Sequence, residues 1–313
     1  MPPYGLSRDS SPALELVKTS LDKIRDEAML QNARQGKAEA TDPVIFTQER
    51  ATNAAVVSTV QGGGGYYEKS VGDFKNSKAV GINAPTPKTT LIANFNKDLD
   101  VARTFVADQQ HSSVAKAVSG QTRAWAASRD LNAMNVYALG FTTQTTIEGV
   151  AVFSASHENS NGDTGIDNLG SGALTDTTLN DLVVILRGQI NQTGVQVGYE
   201  PDFLLTSNTN HKNAMTISKS VLRAGTGNND LNYYSELFPG MQCKYNHFLD
   251  ITSTTAYFIG AKGHGITRMV REEFFTDLVD WRTQRNDAYI YKFRAREEVD
   301  SIEYSGLAGA TGV

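Results

Sequence analysis

The chain has 313 residues, enough for one large or two ordinary domains, and a net charge of -5 with its basic residues dispersed, which argues against a surface built to grip nucleic acid. Its single cysteine, Cys243, excludes an intramolecular disulfide and agrees with a reducing compartment. No apolar run approaches the roughly 18 residues of a membrane span, and no basic stretch followed by a hydrophobic signal core opens the chain, so a cytoplasmic chain without membrane contact is expected.

In chain order, Ser10 and Ser11 before Pro12 signal a helix start. Leu14, Val17, Leu21, Ile24 and Ala28 then keep heptad spacing. This stripe needs a partner: it either folds back on its own domain or lies as an arm on a neighbouring subunit. Residues 54–61 (AAVVSTVQ) read as a strand, which four glycines break before Tyr66 and Tyr67. A phosphate loop would need a Gly-Lys-Ser/Thr ending that opens a helix, and two tyrosines stand there instead. Residues 89–95 (TTLIANF) resume as a strand. The span 54–95 is thus a long two-stranded excursion. Val56, Val57, Val60, Leu91 and Ile92 are too few to give it a core, so it needs cover from outside its own domain.

A short helix at 100–109 leads into a long one at 112–139, about 40 Å in length. Ala117, Gly120, Ala124, Ala127, Leu131, Met134 and Ala138 share one face of it, which predicts close contact with a sheet, while Arg123, Arg129 and Asp130 point to water. Gly140 stops the helix. A strand is expected at 142–147, with 149–153 a second strand or its continuation, then a loop crowded with Asn, Gly, Asp and Ser at 156–172. Thr175 caps a helix that presents Leu179, Leu182, Val183, Leu186 and Ile190. A strand at 203–206, a helix near 210–218 and strands at 241–245 and 256–261 complete a compact α/β or α+β subdomain over 174–261. Strands at 266–271 and 288–299 follow. The second alternates Tyr289, Tyr291 and Phe293 with Lys292, Arg294 and Arg296, so one face is covered and one wet. The small-residue text at 305–313 reads as mobile.

Chemistry finds no foothold in this text. His111, His157, His211, His247 and His264 keep no helical metal spacing, and the loop holding His157, Glu158, Asp163 and Asp167 does not match a calcium loop. Neither a Gly-x-Ser-x-Gly elbow nor a dinucleotide glycine fingerprint occurs. No catalytic, cofactor-binding or metal-ligating residue is assigned, no cofactor is called for, and the chain reads as a non-enzyme. Lys69, Lys75 and Lys78 would need an acidic catalyst and an asparagine partner for an isopeptide bond, and they read as solvated.

The order of an extended hairpin, a long helix, a strand-rich platform, a separate α/β module and a returning strand resembles the tailed-bacteriophage major capsid protein with its α+β HK97-like fold. Gly149-Val150-Ala151-Val152-Phe153-Ser154 with His157-Glu158-Asn159, Leu174-Thr175, Pro201-Asp202-Phe203-Leu204-Leu205 and Asp280-Trp281-Arg282-Thr283 are similar to successive blocks of the Mu-like major head subunit family, over 54–299. The resemblance implies an N-terminal arm (1–50), an extended loop (54–95), a peripheral domain (95–173 with 262–305, spine helix 112–139), an axial domain (174–261) and a tail (306–313). It implies self-assembly as pentamers and hexamers into an icosahedral shell, a virion capsid put together in the host cytoplasm. The shell would enclose double-stranded DNA without sequence-specific binding. A separate scaffolding protein and a portal are expected, with room for a decoration protein. Leu14, Val17, Leu21, Ile24, Val56, Val57, Tyr66, Tyr67, Leu91 and Ile92 are the expected subunit-interface residues. An encapsulin-type compartment and a soluble α+β enzyme or ligand-binding protein are the alternatives.

Overall fold

The structure is a computed structural model that describes residues 12–30, 36–59, 87–104, 111–160, 162–222, 230–279 and 288–313, with the backbone alone at 12–17, 30 and 111. Along these residues run α1 (Pro12–Leu30), β1 (Thr47–Arg50), β2 (Ala55–Ser58), β3 (Lys88–Leu91), β4 (Ala93–Ala102), α2 (His111–Ala138), β5 (His157–Glu158), β6 (Thr164–Ile166), β7 (Leu169–Gly170) and α3 (Asp176–Gly188). They continue as β8 (Pro201–Ser207), α4 (His211–Lys219), α5 (Tyr233–Leu237), β9 (Gln242–Asn246), β10 (Tyr257–Ala261), β11 (Ile266–Val279), β12 (Ala288–Ser301) and β13 (Leu307–Ala310). The chain divides into two units, one of residues 1–34, 93–128 and 272–297, the other of residues 35–92, 129–271 and 298–313. This division falls inside α2, β11 and β12. It groups 129–173 with 174–261, where the expected line between peripheral and axial domains lay at 173/174.

In the first unit β4 pairs antiparallel with β12, from Ala102 opposite Ala288 to Ala93 opposite Glu297. The alternation along β12 buries Tyr291, Phe293 and Ala295 and leaves the residues between them half-exposed. On that covered face sit α1 and the first part of α2: Leu21, Val118, Tyr291 and Phe293 are buried together, with Ile24, Val114 and Leu99 packed against them. A polar knot fastens α1. Asp22 Oδ1 accepts from the Tyr291 hydroxyl at 2.7 Å and from Thr276 Oγ1 at 2.7 Å, and Arg25 Nη1 donates to Thr276 Oγ1 at 2.6 Å. Residues 100–102, expected to begin a helix, instead end β4. Their register continues against Ile290, Tyr289 and Ala288, so cross-strand pairing outweighs a helical propensity that is weak over so short a segment.

The second unit is built on a five-stranded sheet in the order β7-β13-β10-β8-β9. Its strands are covered on both sides, which is why they read as near-continuous apolar runs. Phe203, Leu205, Phe258 and Leu307 face one core with Tyr137 and Phe153, while Leu204, Tyr257, Ile259, Ala308 and Ala310 face another with Leu179, Leu182 and Leu186 of α3. α3 starts where expected, with Thr175 and Thr178 forming a reciprocal capping box. Tyr137 sits at the centre of the first core, edge-on to Phe258 at 5.3 Å and to Phe46 at 5.9 Å, its hydroxyl donating to the Ile45 carbonyl at 2.9 Å. Gly260 lies opposite Phe203, whose ring occupies the space a Cβ would take.

Three expectations need correction. Most of the small-residue stripe of α2 is not the packed face: Gly120, Ala124, Ala127 and Leu131 are exposed, Met134 alone of the stripe is buried, and the other buried side chains among the described residues are Val118, Thr122, Trp125, Ala126, Arg129, Asp130, Ala133, Val136 and Tyr137. Thr122 and Asp130 survive burial there because they are bonded: Thr122 Oγ1 donates to the Val118 carbonyl at 3.0 Å, and Asp130 accepts from Lys37 Nζ at 2.6 Å and from the Ala40 amide at 3.0 Å. Second, 142–153 does not form two strands. Gly149, at φ 79°, turns the chain so tightly that one bridge, Thr145 opposite Ala151, remains. Third, the end of the chain is not a loose tail: Leu307, Ala308 and Ala310 are fully buried in β13, between β7 and β10.

Candidate assembly surface

β2 and β3 form a two-stranded ribbon in the second unit, with Ala55 opposite Leu91, Val56 opposite Thr90, Val57 opposite Thr89 and Ser58 opposite Lys88. Strand periodicity gives the ribbon two unlike faces. Val56 packs inward with Ala51, Ile92, Met269 and Ile302. On this face Thr90 Oγ1 and Lys88 Nζ both donate to the Asp300 carboxylate, each at 2.6 Å. Lys88 also donates to the Thr145 and Ser301 carbonyls, at 2.6 and 2.8 Å, and Gln144 Nε2 donates to Asp300 Oδ1 at 2.7 Å. Asp300 therefore acts as a buried post to which the foot of the ribbon is tied. The opposite face carries Val57 at 60% and Leu91 at 72% exposure, two large apolar side chains with little cover among the described residues.

The expected interface residues therefore separate. Val57 and Leu91 face outward, while Ile92 is buried and Val56 half-buried against the chain itself. Leu21 and Ile24 close onto Val118, Tyr291 and Phe293 of their own unit, so of the two readings of the α1 stripe the described part takes the fold-back one. Leu14 and Val17 lie on α1, their side chains outside the described residues, and Tyr66 and Tyr67 lie outside the described residues altogether. The structure adds apolar residues that spacing did not single out. Val221, Leu231 and Leu237 are 76%, 70% and 48% exposed around α5, and Tyr233 and Leu231 line a cavity of about 360 Å³ shared with Asp176 and Asn180. A Leu on either side of a glycine- and asparagine-rich loop was the available signal, and Leu222 and Leu231 do meet there as a bridge.

The groups most suited to catalysis are held in structural roles. Burial pushes the Cys243 thiol up to about 11, away from a nucleophilic thiolate. His264 is lowered to about 4 by burial, and its ring accepts from the Ile266 amide and faces the Val44 carbonyl. In the loop with His157, Asn159 takes the Asp163 carboxylate at 2.7 Å, Asp167 accepts from the Leu169 amide, and Glu148 faces His157 Nδ1 at 3.1 Å, so these three carboxylates are occupied in closing the loop. Among the described residues no group of three His, Cys, Asp or Glu side chains is placed to hold a metal ion.

No family model matches the chain. No characterised protein matches it by sequence. By structure it has the α+β HK97-like fold, and the solved structures similar to it include phage capsids and a virus-like particle. It is similar to a virus-like particle from Pyrococcus furiosus (TM-score 0.54, 9% identity, covering 95% of this chain and 98% of that one). It is also similar to the capsid of the Myoviridae phage XM1 (TM-score 0.53, 12% identity, 90% and 94%) and to a structure of Microbacterium phage Oxtober96 (TM-score 0.54, 11% identity, 89% and 93%).

Proposed function

We propose that the chain is a major capsid protein of a tailed bacteriophage, whose many copies close into an icosahedral shell around double-stranded DNA. The observation that carries this reading is the fold, shared nearly end to end with phage capsids. The ribbon supports it physically, because Val57 and Leu91 stand outside the chain's own cores and burial between copies would supply the contact they lack. In this reading the subunits assemble as pentamers and hexamers in the host cytoplasm, with a separate scaffolding protein and a portal. The DNA is held by enclosure rather than by base contacts, in keeping with a net charge of -5. Membership of the Mu-like head subunit family rests on the sequence blocks alone. Shape, not turnover, is the activity, and subunits meet by repeated equivalent contacts.

Size-exclusion chromatography and electron microscopy of the expressed chain, with and without a co-expressed scaffold, test the reading. Closed icosahedral particles are expected, and a chain that stays monomeric under every condition overturns it. An encapsulin-like compartment is compatible with the same fold, since a virus-like particle is among the similar structures. Particles purified from the native source would then hold protein cargo in place of DNA.

A further inference from the structure

His157 is fully buried in the second unit, and both of its ring nitrogens face oxygen atoms. Nε2 lies 3.2 Å from Asn168 Oδ1. The Asn168 carboxamide is fixed in that orientation, because its Nδ2 donates to the Val152 carbonyl at 2.8 Å and its Oδ1 accepts from the Ser154 amide at 2.7 Å. Nδ1 lies 3.1 Å from Glu148 Oε2. That carboxylate takes two further donors: Oε2 accepts from the Glu158 amide at 3.2 Å and Oε1 from Gln192 Nε2 at 2.8 Å. The Gln192 amide is fixed in turn, since its own Oε1 accepts from the Ser160 hydroxyl at 3.2 Å. A neutral imidazole has one N–H, so either tautomer sets a bare lone pair against one of these oxygens, away from water. Beneath the ring Tyr304 stacks with centroids 4.6 Å and planes 21° apart, offering an aromatic face that attracts a cation. Burial pushes the Tyr304 hydroxyl well up, with Glu148, Glu303, Tyr199 and Asp163 adding to it, so Tyr304 stays a neutral phenol. Burial, and then Glu148, also push up the Glu303 carboxyl.

We propose that His157 stands in the fold as an imidazolium whose second proton locks the turn carrying Glu148. Through Asn168 the ring reaches β13, because the Asn168 carbonyl accepts from the Gly309 amide at 3.0 Å. Through Glu148 it reaches the ribbon. Glu148 belongs to a turn in which the Thr146 amide donates to the Val150 carbonyl at 2.8 Å and the Ile147 amide to the Ile302 carbonyl at 2.9 Å. The same turn supplies the Thr145 carbonyl that holds Lys88 Nζ at 2.6 Å. When the second proton leaves, a lone pair faces an oxygen and one of the two contacts opens. Asn168 is fully buried and bonded to Val152, Ser154 and Gly309, whereas Glu148 is partly exposed, so the turn yields and the foot of the ribbon loosens with it. The ribbon bears Val57 and Leu91, so in the shell reading the proton on His157 sets how firmly that contact face is held.

Nitrogen-15 NMR of the full chain, labelled at histidine and at the backbone amides, reads this directly, in solution for subunits and with magic-angle spinning for particles. At neutral pH both His157 ring nitrogens should carry hydrogen. Raising the pH should remove one of them, and the amides of 88–91 and 145–148 should shift with the same midpoint while those of β10 stay in place. A bare ring nitrogen on His157 at neutral pH overturns the proposal, and so do ribbon amides that fail to follow the ring. Glu148→Gln is the second check, because a carboxamide at that position can donate to a bare Nδ1. In that variant His157 should hold one ring N–H at neutral pH and the ribbon should lose its response to pH. A response that persists in Glu148→Gln arises from another group and overturns the lock. Should that variant fail to fold, the parent's ring nitrogens and ribbon amides decide alone. The measurement requires no particle, so failure of the lock leaves the shell reading standing, and failure to form shells leaves the lock standing.

Discussion

Lys88 Nζ lies 2.6 Å from Asp300 Oδ1, a contact between residues 212 positions apart that ties the foot of the β2–β3 ribbon to the end of strand β12. The pair is shielded, with side chains 19% and 9% exposed, and the carboxylate also serves Thr90, Gln144 and the Ser301 amide. Removing a buried carboxylate leaves its cation uncompensated, which costs about 3 to 5 kcal/mol. Asp300→Ala should therefore lower the midpoint of chemical unfolding by that order. Hydrogen exchange of the amides at 88–92 should quicken more than that of β10, because the ribbon loses its post while the central sheet keeps its own contacts.

The α1 helix is fastened to its own unit, so it should contribute to the stability of a lone subunit. Leu21→Ala removes a buried side chain from the cluster with Val118 and Phe293, at a cost of about 2 to 5 kcal/mol. Tyr291→Phe removes the hydroxyl that donates to Asp22, at about 1 kcal/mol. Urea unfolding of unassembled protein measures both. A helix that served only a neighbouring copy would leave those curves unmoved.

The two faces of α2 can be told apart with one type of substitution. Ala127→Leu adds bulk on the exposed face and should change stability by less than about 0.5 kcal/mol. Ala133→Leu overpacks a position with no exposure, beside Met134 and Tyr137, and should cost about 1 to 3 kcal/mol. Thermal melts of the two variants side by side decide which face is the packed one.

Burial lowers His264 to about 4 from an ordinary value near 6.5. Between those values the unfolded chain binds a proton that the folded chain refuses. The sign follows: stability is fully present above about pH 6.5 and is lost as pH falls toward 4, by up to about 3 kcal/mol for this group. The melting temperature should drop steeply over that window, and His264→Gln should flatten the slope.

The thiol of Cys243 is pushed up to about 11 and is 9% exposed. A disulfide reagent at pH 8 should react with it only as fast as the protein opens, and at once in denaturant. Rapid labelling of the folded protein would show a thiol more accessible than the structure has it.

What could be read from the sequence follows the physics of each signal. The α3 helix, its Thr175 cap and the buried runs of β8 and β10 were legible because local spacing and sheet burial agree there. The face of α2 was not. A stripe of Ala and Gly marks room for close approach without saying that anything approaches, and Asp130 reads as solvated until Lys37 is known to stand beside it. The ribbon shows the limit most plainly. Its period-2 pattern separates Val56 from Val57, but which of the two faces inward depends on Asp300, more than two hundred residues away in the chain. The likeness to capsid proteins came from the order of segments, which survives when individual residues do not.

The strand β13 has a consequence in time. It is threaded between β7 and β10, with Gln189 holding the Leu307 carbonyl at 2.6 Å and the Gly309 amide bonded to the Asn168 carbonyl, so the central sheet of the second unit has a gap until residue 310 is available. A ribosome exposes that strand long after β7, β8 and β10 have left the exit tunnel. A nascent or prematurely terminated chain thus lacks the piece that closes its own core. Only polypeptides translated at least through Ala310 can complete that core, a form of proofreading performed by topology.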